Sequence, residues 1–293
     1  MNVISLFDGI SCGMVALERE RVPVERYVAF EIDEDAITVS RKNYPQIEQK
    51  GSVIDADFSK YKGFDLLIGG SPCQNLSGMG NGEGLWGDES ILFFEYVRAL
   101  KEVQPKYFLL ENNASMSKKN RDIITQIMKV EPTLINSIDF SAQNRKRLYW
   151  TNIPVKEWSP KHFTLQDIAE PCENKQAYLI TDKVVKHLSM EYTGRKIQRN
   201  ISAVIKTLDE TSNCLGCYCG NYGNNASLIV HQDSNYYGVT PIEAERLQTL
   251  PDNYTEGIAP KKRFHAIGNG WTVDVIAHIF KGLKNSWLDE LLK

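Results

Sequence analysis

One cysteine stands just past an apolar run. The stretch DLLIGGSPCQNLSG puts Cys73 directly after Pro72, in a turn bracketed by Gly70 and Gly78. A structural cysteine is a small hydrophobe at home inside a strand or helix, so this position argues for reactivity, with a buried thiol as the alternative. A thiol of ordinary pKa, about 8.5, is mostly protonated at neutral pH, and a nucleophilic role needs that value lowered by backbone amides or a positive neighbour. Glu111, in FLLENNAS, holds a comparable place at the end of its apolar run and can serve as an acid or hydrogen-bond acceptor; a helix cap or salt bridge is the other reading. In SAQNRKRLYW, Arg145 and Arg147 alternate on one strand face ahead of Tyr149 and Trp150, a pattern that an ordinary charged edge strand also produces. Gly9, in FDGIS, follows a strand and lets backbone approach a ligand closely, and Gly13 permits tight packing of the next helix. Glu31, ending a second strand, is placed to bond both hydroxyls of a ribose, or is simply solvated. The glycine pattern is not a dinucleotide GxGxxG.

These residues need a scaffold that brings strand ends into one row. VISLF (3–7), YVAFEI (27–32), DLLIGG (65–70), YFLLEN (107–112) and RLYWTNI (147–153) read as strands. GMVALERE, EDAITVSRKNY, SILFFEYVRALKEV and NRDIITQIMKV between them have helical spacing. Strand then helix, repeated, predicts a doubly wound α/β domain with a parallel sheet covered on both faces. In such sheets ligands bind beyond the carboxyl ends of the strands, where all the candidates above fall. From about residue 154 to 235 the alternation fades into a less regular unit rich in Asn, Gly, Thr and Tyr. GVTPIEAERLQTL then predicts a helix capped by Thr240 with Pro241 first, and WTVDVIAHIFKGL an amphipathic helix.

The 293 residues are 42% hydrophobic and 24% charged, enough for one or two globular domains, and a net charge of -3 does not advertise a polyanion partner. The opening MNVISLFDGISCG lacks a basic leader and a long apolar run, so the expectation is a cytoplasmic protein with no membrane partner. The six cysteines are expected as free thiols, with Cys12 in the core.

Thiol, carboxylate and arginine at consecutive strand ends, in this order and spacing, carry a resemblance. SLFDGIS, FEID, GGSPCQNLS, LLENNASM, AQNRKRLYW, RLQTLPDNYT and IGNGWTVDV together resemble the motifs of the DNA (cytosine-5) methyltransferases, over all but residues 155–235. FDGI, GGSPC and GNGWTV are similar to the animal de novo branch more than to the bacterial FAGxGG pattern. The resemblance implies a Rossmann-like S-adenosylmethionine-dependent methyltransferase sheet with a smaller target-recognition domain, divided as 1–154 plus 265–293 and 155–264. It also implies the chemistry: Cys73 as the thiolate that adds to cytosine C6, Glu111 holding the exocyclic amine and protonating N3, and Arg147 binding O2, with Arg145 beside it. The target base must leave the stack to be reached. The loop QNLSGMGNGEGLWGDES would close over it, with Ser77 near the DNA backbone.

For the cofactor, S-adenosylmethionine, the resemblance carries Phe7, Asp8, Gly9 and Ile10 to the methionine end, Glu31 to the ribose and Ile32 to the adenine face. Gly70, Pro72 and Leu92 would line the cleft, and Asn269, Trp271 and Thr272 would return to it. One departure stands out: the family's adenine-contacting Asp is replaced by Ser52 in GSV, so that Ser52, Val53 or Asp55 must take its part. The expected partner is double-stranded DNA, met by a monomer with a cognate restriction endonuclease as a candidate companion. Arg195, Lys196, Arg199, Lys206 and Thr207 are candidates for reading it. CLGCYC (Cys214, Cys217, Cys219), with Cys172 or His231, invites a zinc reading, but a reduced-thiol loop is favoured and no metal is expected.

Overall fold

The computed structural model describes residues 1–71, 91–181, 185, 205–217 and 228–291, the last eight of these in backbone only. Pro72, Cys73, Ser77 and the rest of the loop to residue 90 lie outside the described residues, as do Arg195, Lys196, Arg199 and Cys219. The chain divides into two compact units: Met1–Asn136, Lys146–Trp158 and Val273–Lys293 form one, and Ser137–Arg145 with Ser159–Thr272 the other. Thus 137–145 and 265–272 group with the second unit, whereas the expected division fell at 154 and 265.

The first unit is built on a seven-stranded sheet in the order β3-β2-β1-β4-β5-β7-β6. Its strands are β1 (Asn2–Leu6), β2 (Arg26–Phe30), β3 (Glu48–Gln49), β4 (Leu66–Gly70), β5 (Tyr107–Asn113), β6 (Thr133–Asn136) and β7 (Lys146–Thr151). β1 to β5 run parallel, as the alternation predicts. Two things differ. β7 inserts antiparallel between β5 and β6, so the sheet is mixed and not all-parallel. β6 and β3 are too short, at four and two residues, to have shown a periodic signal.

Ile4, Leu6, Val28, Phe30, Leu67, Leu110 and Trp150 project into one core with Phe93, Tyr96 and Ile124. The last three lie on α3 (Ile91–Val103) and α4 (Lys118–Met128). The alternate residues Val3, Tyr27, Ala29, Leu66, Ile68 and Leu109 are buried too, so both faces of the central strands are covered. α1 (Cys12–Arg19) packs against α7 (Val273–Leu291), and Arg19 pairs with Asp274 at 2.5 Å. Cys12 is buried. α2 (Glu34–Asn43) starts at an Asp33 cap that accepts the Asp35 N–H at 2.9 Å, with Glu34 and Asp35 in its first turn and Arg41 and Lys42 in its last.

The second unit is less irregular than its composition suggested. It holds a four-stranded sheet, β8 (Leu179–Ile180), β11 (Asn235–Gly238), β10 (Ile229–Gln232) and β9 (Ile205–Thr207), in that spatial order. Two helices follow: α5 (Pro241–Leu247), with the expected Thr240 cap completed by Glu243, and α6 (Pro260–Asn269). Lys175 is fully buried here, its charge met by Glu243 at 2.7 Å and by the Tyr237 ring at 5.3 Å. No helix among the described residues is long and apolar enough to cross a membrane.

Gly282 fixes how α7 sits in the first unit, because a Cβ there would collide with the Pro154 carbonyl and lie 2.8 Å from Ile153 Cγ2. Gly282→Ala is expected to cost about 1–3 kcal/mol by overpacking. A urea midpoint equal to that of the parent protein would contradict this packing.

Candidate active site

The loop from β1 to α1 is contorted: Phe7, Gly9 and Ser11 take φ of 57°, 57° and 61°, left-handed values that cost free energy in the two non-glycine residues. The Asp8 side chain turns inward and holds the loop. It accepts the Tyr27 hydroxyl at 2.7 Å and the Ser11 hydroxyl at 2.5 Å, and Ser11 lies 2.7 Å from the Ser40 hydroxyl. Burial pushes the Asp8 carboxyl above the usual carboxylate range; the hydroxyls of Ser11, Ser5 and Tyr27 oppose this and the nearby Glu31 charge adds to it. Ser11, committed to Asp8, does not cap α1 with its side chain.

Glu31, just beyond β2, is fixed by three backbone N–H groups. Gly9 donates to Oε2 at 2.7 Å, while Ile32 and Asp33 donate to Oε1 at 2.7 and 2.9 Å. Beside it Ile32 is 73% exposed, and Ile54, after β3, is 54% exposed. Two aliphatic side chains left open at adjacent strand ends are what a flat apolar ring would cover. Val53 is buried, Ser52 Oγ accepts the Ile54 N–H at 3.0 Å, and Asp55 is exposed with φ of 62°.

At the end of β4, Gly70 pairs in register with Glu111 of β5. Ser71 is buried and accepts from the Asn112 amide at 3.3 Å, tying the last described residue before Pro72 to the residue after Glu111. The antiparallel β7 sets Asn113 opposite Arg147 and Glu111 opposite Tyr149. Arg147 Nε thereby meets Glu111 Oε1 at 2.8 Å, with both side chains largely buried. A carboxylate and a guanidinium side by side can accept from an amine and donate to a carbonyl on one heterocycle edge. Leu92 packs, half-buried, against the first unit's core.

Ile10 is fully buried in the first unit, and the other described candidates lie in the second. Arg145 precedes β7 and does not share its exposed face. It is buried, and its guanidinium donates to the carbonyls of Leu215 (3.0 Å), Gly268 (3.3 Å) and Gly270 (2.9 Å). These bonds make it a brace for backbone. Asn269 Nδ2 is 3.5 Å from His265 Nε2, and Thr272 is buried between Ser137 (2.9 Å) and Gln248 (2.7 Å). Trp271 falls between Gly270 and Thr272 in this same unit. Among the described residues no group of three His, Cys, Asp or Glu side chains is disposed to hold a metal. The Cys172 thiol donates to Asp233 at 3.1 Å, and Arg145 Nη1 lies 3.4 Å from Cys214 Sγ.

Two glutamines, present in the motif segments but not singled out from sequence, organise this region. Gln248 is fully buried; it donates to the Ile267 and Gly270 carbonyls at 3.0 and 3.3 Å and accepts from Thr272 and Gln143. Gln143, also fully buried, accepts the Leu215 N–H at 2.9 Å. Amide side chains suit this work because each both donates and accepts.

The family profile described as C-5 cytosine-specific DNA methylase matches residues 1–285. The chain belongs to that family and is an enzyme of its class. Type II methyltransferase M.FnuDI of Fusobacterium nucleatum is 26% identical over 99% of this chain and 96% of its own length. Orphan methyltransferase M.SPRI of Bacillus phage SPR is 32% identical over 67% of this chain, which spans about half (47%) of that relative. Among solved structures, Entamoeba histolytica methyltransferase EhMeth shares the fold with a TM-score of 0.79 at 17% identity, over 98% of both chains. The S. pombe Dnmt2 methyltransferase does so at 0.73 and 16%, over 97% of this chain and 99% of that one.

Gln248→Leu removes the bonds from the Ile267 and Gly270 carbonyls, Gln143 and Thr272 together. The expected cost is about 1–3 kcal/mol of folding free energy, the penalty of buried polar groups left without partners. Denaturant unfolding measures it, and an unchanged free energy contradicts the assignment.

Proposed function

We propose that the protein transfers a methyl group from S-adenosylmethionine to C5 of a flipped-out cytosine in a specific duplex DNA sequence. The observation that carries this reading is the Glu111–Arg147 pair at the carboxyl end of β5, in register with the strand that leads to Cys73. The cofactor fits the residues present. Glu31, oriented by three N–H groups, would take the ribose hydroxyls; Ile32 and Ile54 would cover the adenine; Gly9, with open space where a Cβ would stand, would admit the methionine end. Phe7 and Ile10 flank that end, and Asp8 holds the loop from beneath. Gly70 and Leu92, with Pro72 outside the described residues, would line the cofactor cleft, and the family resemblance makes Asn269, Trp271 and Thr272 further candidates for cofactor contact. When bound, S-adenosylmethionine supplies a methyl group on a sulfonium centre.

The chain's own residues do the rest. Cytosine C5 is too poor a nucleophile to take a methyl unaided. The Cys73 thiolate adds to C6, forming an S–C bond and turning C5 into an enamine-like carbon. Glu111 accepts from the exocyclic amine and delivers a proton to N3, so that the ring does not accumulate negative charge. Arg147 donates to O2 and keeps the ring against the thiol. C5 takes the methyl and loses its proton to a base; the electron pair returning to the C5–C6 bond expels the thiolate, and N3 returns its proton to Glu111. Extruding the base costs a few kcal/mol, offset by these contacts. The second unit supplies sequence reading, with Lys206, Thr207 and the basic residues 195–199 as its candidates. A cognate endonuclease is a candidate partner because M.FnuDI and M1.ScrFI are named type II methyltransferases, whereas the phage relatives are named orphan.

Incubation with tritiated S-adenosylmethionine is expected to label cytosine in mixed-sequence duplex DNA and not in transfer RNA. Cys73→Ser is expected to abolish both this label and the covalent adduct with 5-fluorocytosine DNA, while Glu111→Gln slows turnover by about 10²–10⁴-fold. An adduct mapped to another residue, or a serine variant with full activity, overturns the assignment.

A further inference from the structure

The turn after β3, residues 53–56, is held in place from outside by one side chain. Arg98, in the middle of α3, donates Nη1 to the Ala56 carbonyl at 2.6 Å and Nη2 to the Val53 carbonyl at 3.0 Å. Its guanidinium lies over the Phe58 ring, 4.5 Å from the centroid. Two acids on the same helix aim it: Glu95 accepts from Nε at 3.0 Å and from Nη2, and Glu102 accepts from Nη1 at 3.3 Å. Glu102 also accepts the Phe58 N–H at 3.1 Å, so α3 grips the segment at both ends. The gripped segment carries a left-handed residue, Asp55, with φ of 62°, a conformation that persists only where its surroundings impose it. It presents Ile54 outward, 54% exposed, beside the open Ile32. Ser52 offers no carboxylate and its hydroxyl oxygen accepts the Ile54 N–H, which leaves the main chain of this turn and Asp55 as the principal acceptors for an adenine amine.

We propose that Arg98 is a positioning residue that presets the 53–56 turn to recognise the adenine edge of a nucleoside thioether or sulfonium, and thereby sets discrimination among purines. Main-chain recognition works only if the donors and acceptors are pre-aimed, since ordering them on binding would consume the affinity they provide. A guanidinium spanning two carbonyls does this, whereas an ammonium cannot bridge both with the same geometry. The inference rests on the cofactor reading given above.

The test uses the full chain, with calorimetric titration of S-adenosylhomocysteine and of S-inosylhomocysteine, in which a carbonyl replaces the adenine amine. The wild type is expected to prefer the adenosyl compound by about tenfold or more, the equivalent of one well-placed hydrogen bond. Arg98→Gln is expected to weaken adenosyl binding by about tenfold and inosyl binding far less, collapsing that preference; Arg98→Lys falls between. In turnover the KM for S-adenosylmethionine rises more than kcat falls. A folded Arg98→Gln protein with the wild-type preference overturns the proposal; if that variant does not fold, an unchanged preference in Arg98→Lys overturns it. A wild type that binds neither compound removes the cofactor reading itself, and this proposal with it, a result seen before any variant is made.

Discussion

The direction of one strand decides what chemistry the sheet can present. Because β7 runs antiparallel to β5, its first residues lie at the carboxyl end of the parallel strands, and Arg147 reaches Glu111 at 2.8 Å. A parallel β7 over the same span would set Arg147 opposite Leu109, four residues or about 13 Å down the strand from Asn113. Desolvating such a pair is costly, and it is tolerated where further hydrogen bonds satisfy both partners. Here the guanidinium also donates to the Lys146 carbonyl at 2.9 Å. The reversal is thus a condition for the site.

The same economy runs through the β1–α1 loop. Left-handed residues at 7, 9 and 11 bend the chain so that the Gly9 N–H faces the Glu31 carboxylate, and a buried acid stabilises the bend by collecting hydroxyls from Ser11 and Tyr27. Asp8 is therefore spent on backbone geometry, while Glu31, held by main chain alone, keeps its side chain at the surface where a diol can be met. Both residues are acids at strand ends, and only their hydrogen-bond partners separate the two roles.

That distinction explains what the sequence revealed. The parallel strands β1, β2, β4 and β5 are apolar runs ending in polar residues, and burial on both faces produces that run. Position at the end of an apolar run was enough to single out Glu31 and Glu111 as candidates, although Glu111 proves to lie within β5, two residues before its end. Strand direction was not legible, because RLYWTNI has the same composition whichever way it runs, and β3 and β6 are too short to show a period. Nor could local pattern tell Arg145 from Arg147. Two residues apart, they differ in that one meets the carbonyls of Leu215, Gly268 and Gly270 and the other a carboxylate across a strand pair.

Motif residues in this chain consequently fall into two kinds, and hydrogen-bond type separates them. Arg145, Gln143 and Gln248 give most of their donors to main-chain carbonyls or accept main-chain N–H groups, and Arg98 bridges two main-chain carbonyls while being aimed by Glu95 and Glu102. Glu111 and Arg147 engage each other's side chains, with Arg147 also donating to the Lys146 carbonyl, and it is this side-chain pairing that the proposed base would share. A buried polar residue whose bonds go mostly to main chain is costly to lose. One whose partner is another ionised side chain at the open end of the sheet is where a substrate can compete. On that criterion Glu111 and Arg147 stand out as the proposed base-binding pair without reference to any relative, and the bracing residues account for why so many polar side chains in the motif segments are tied to main chain.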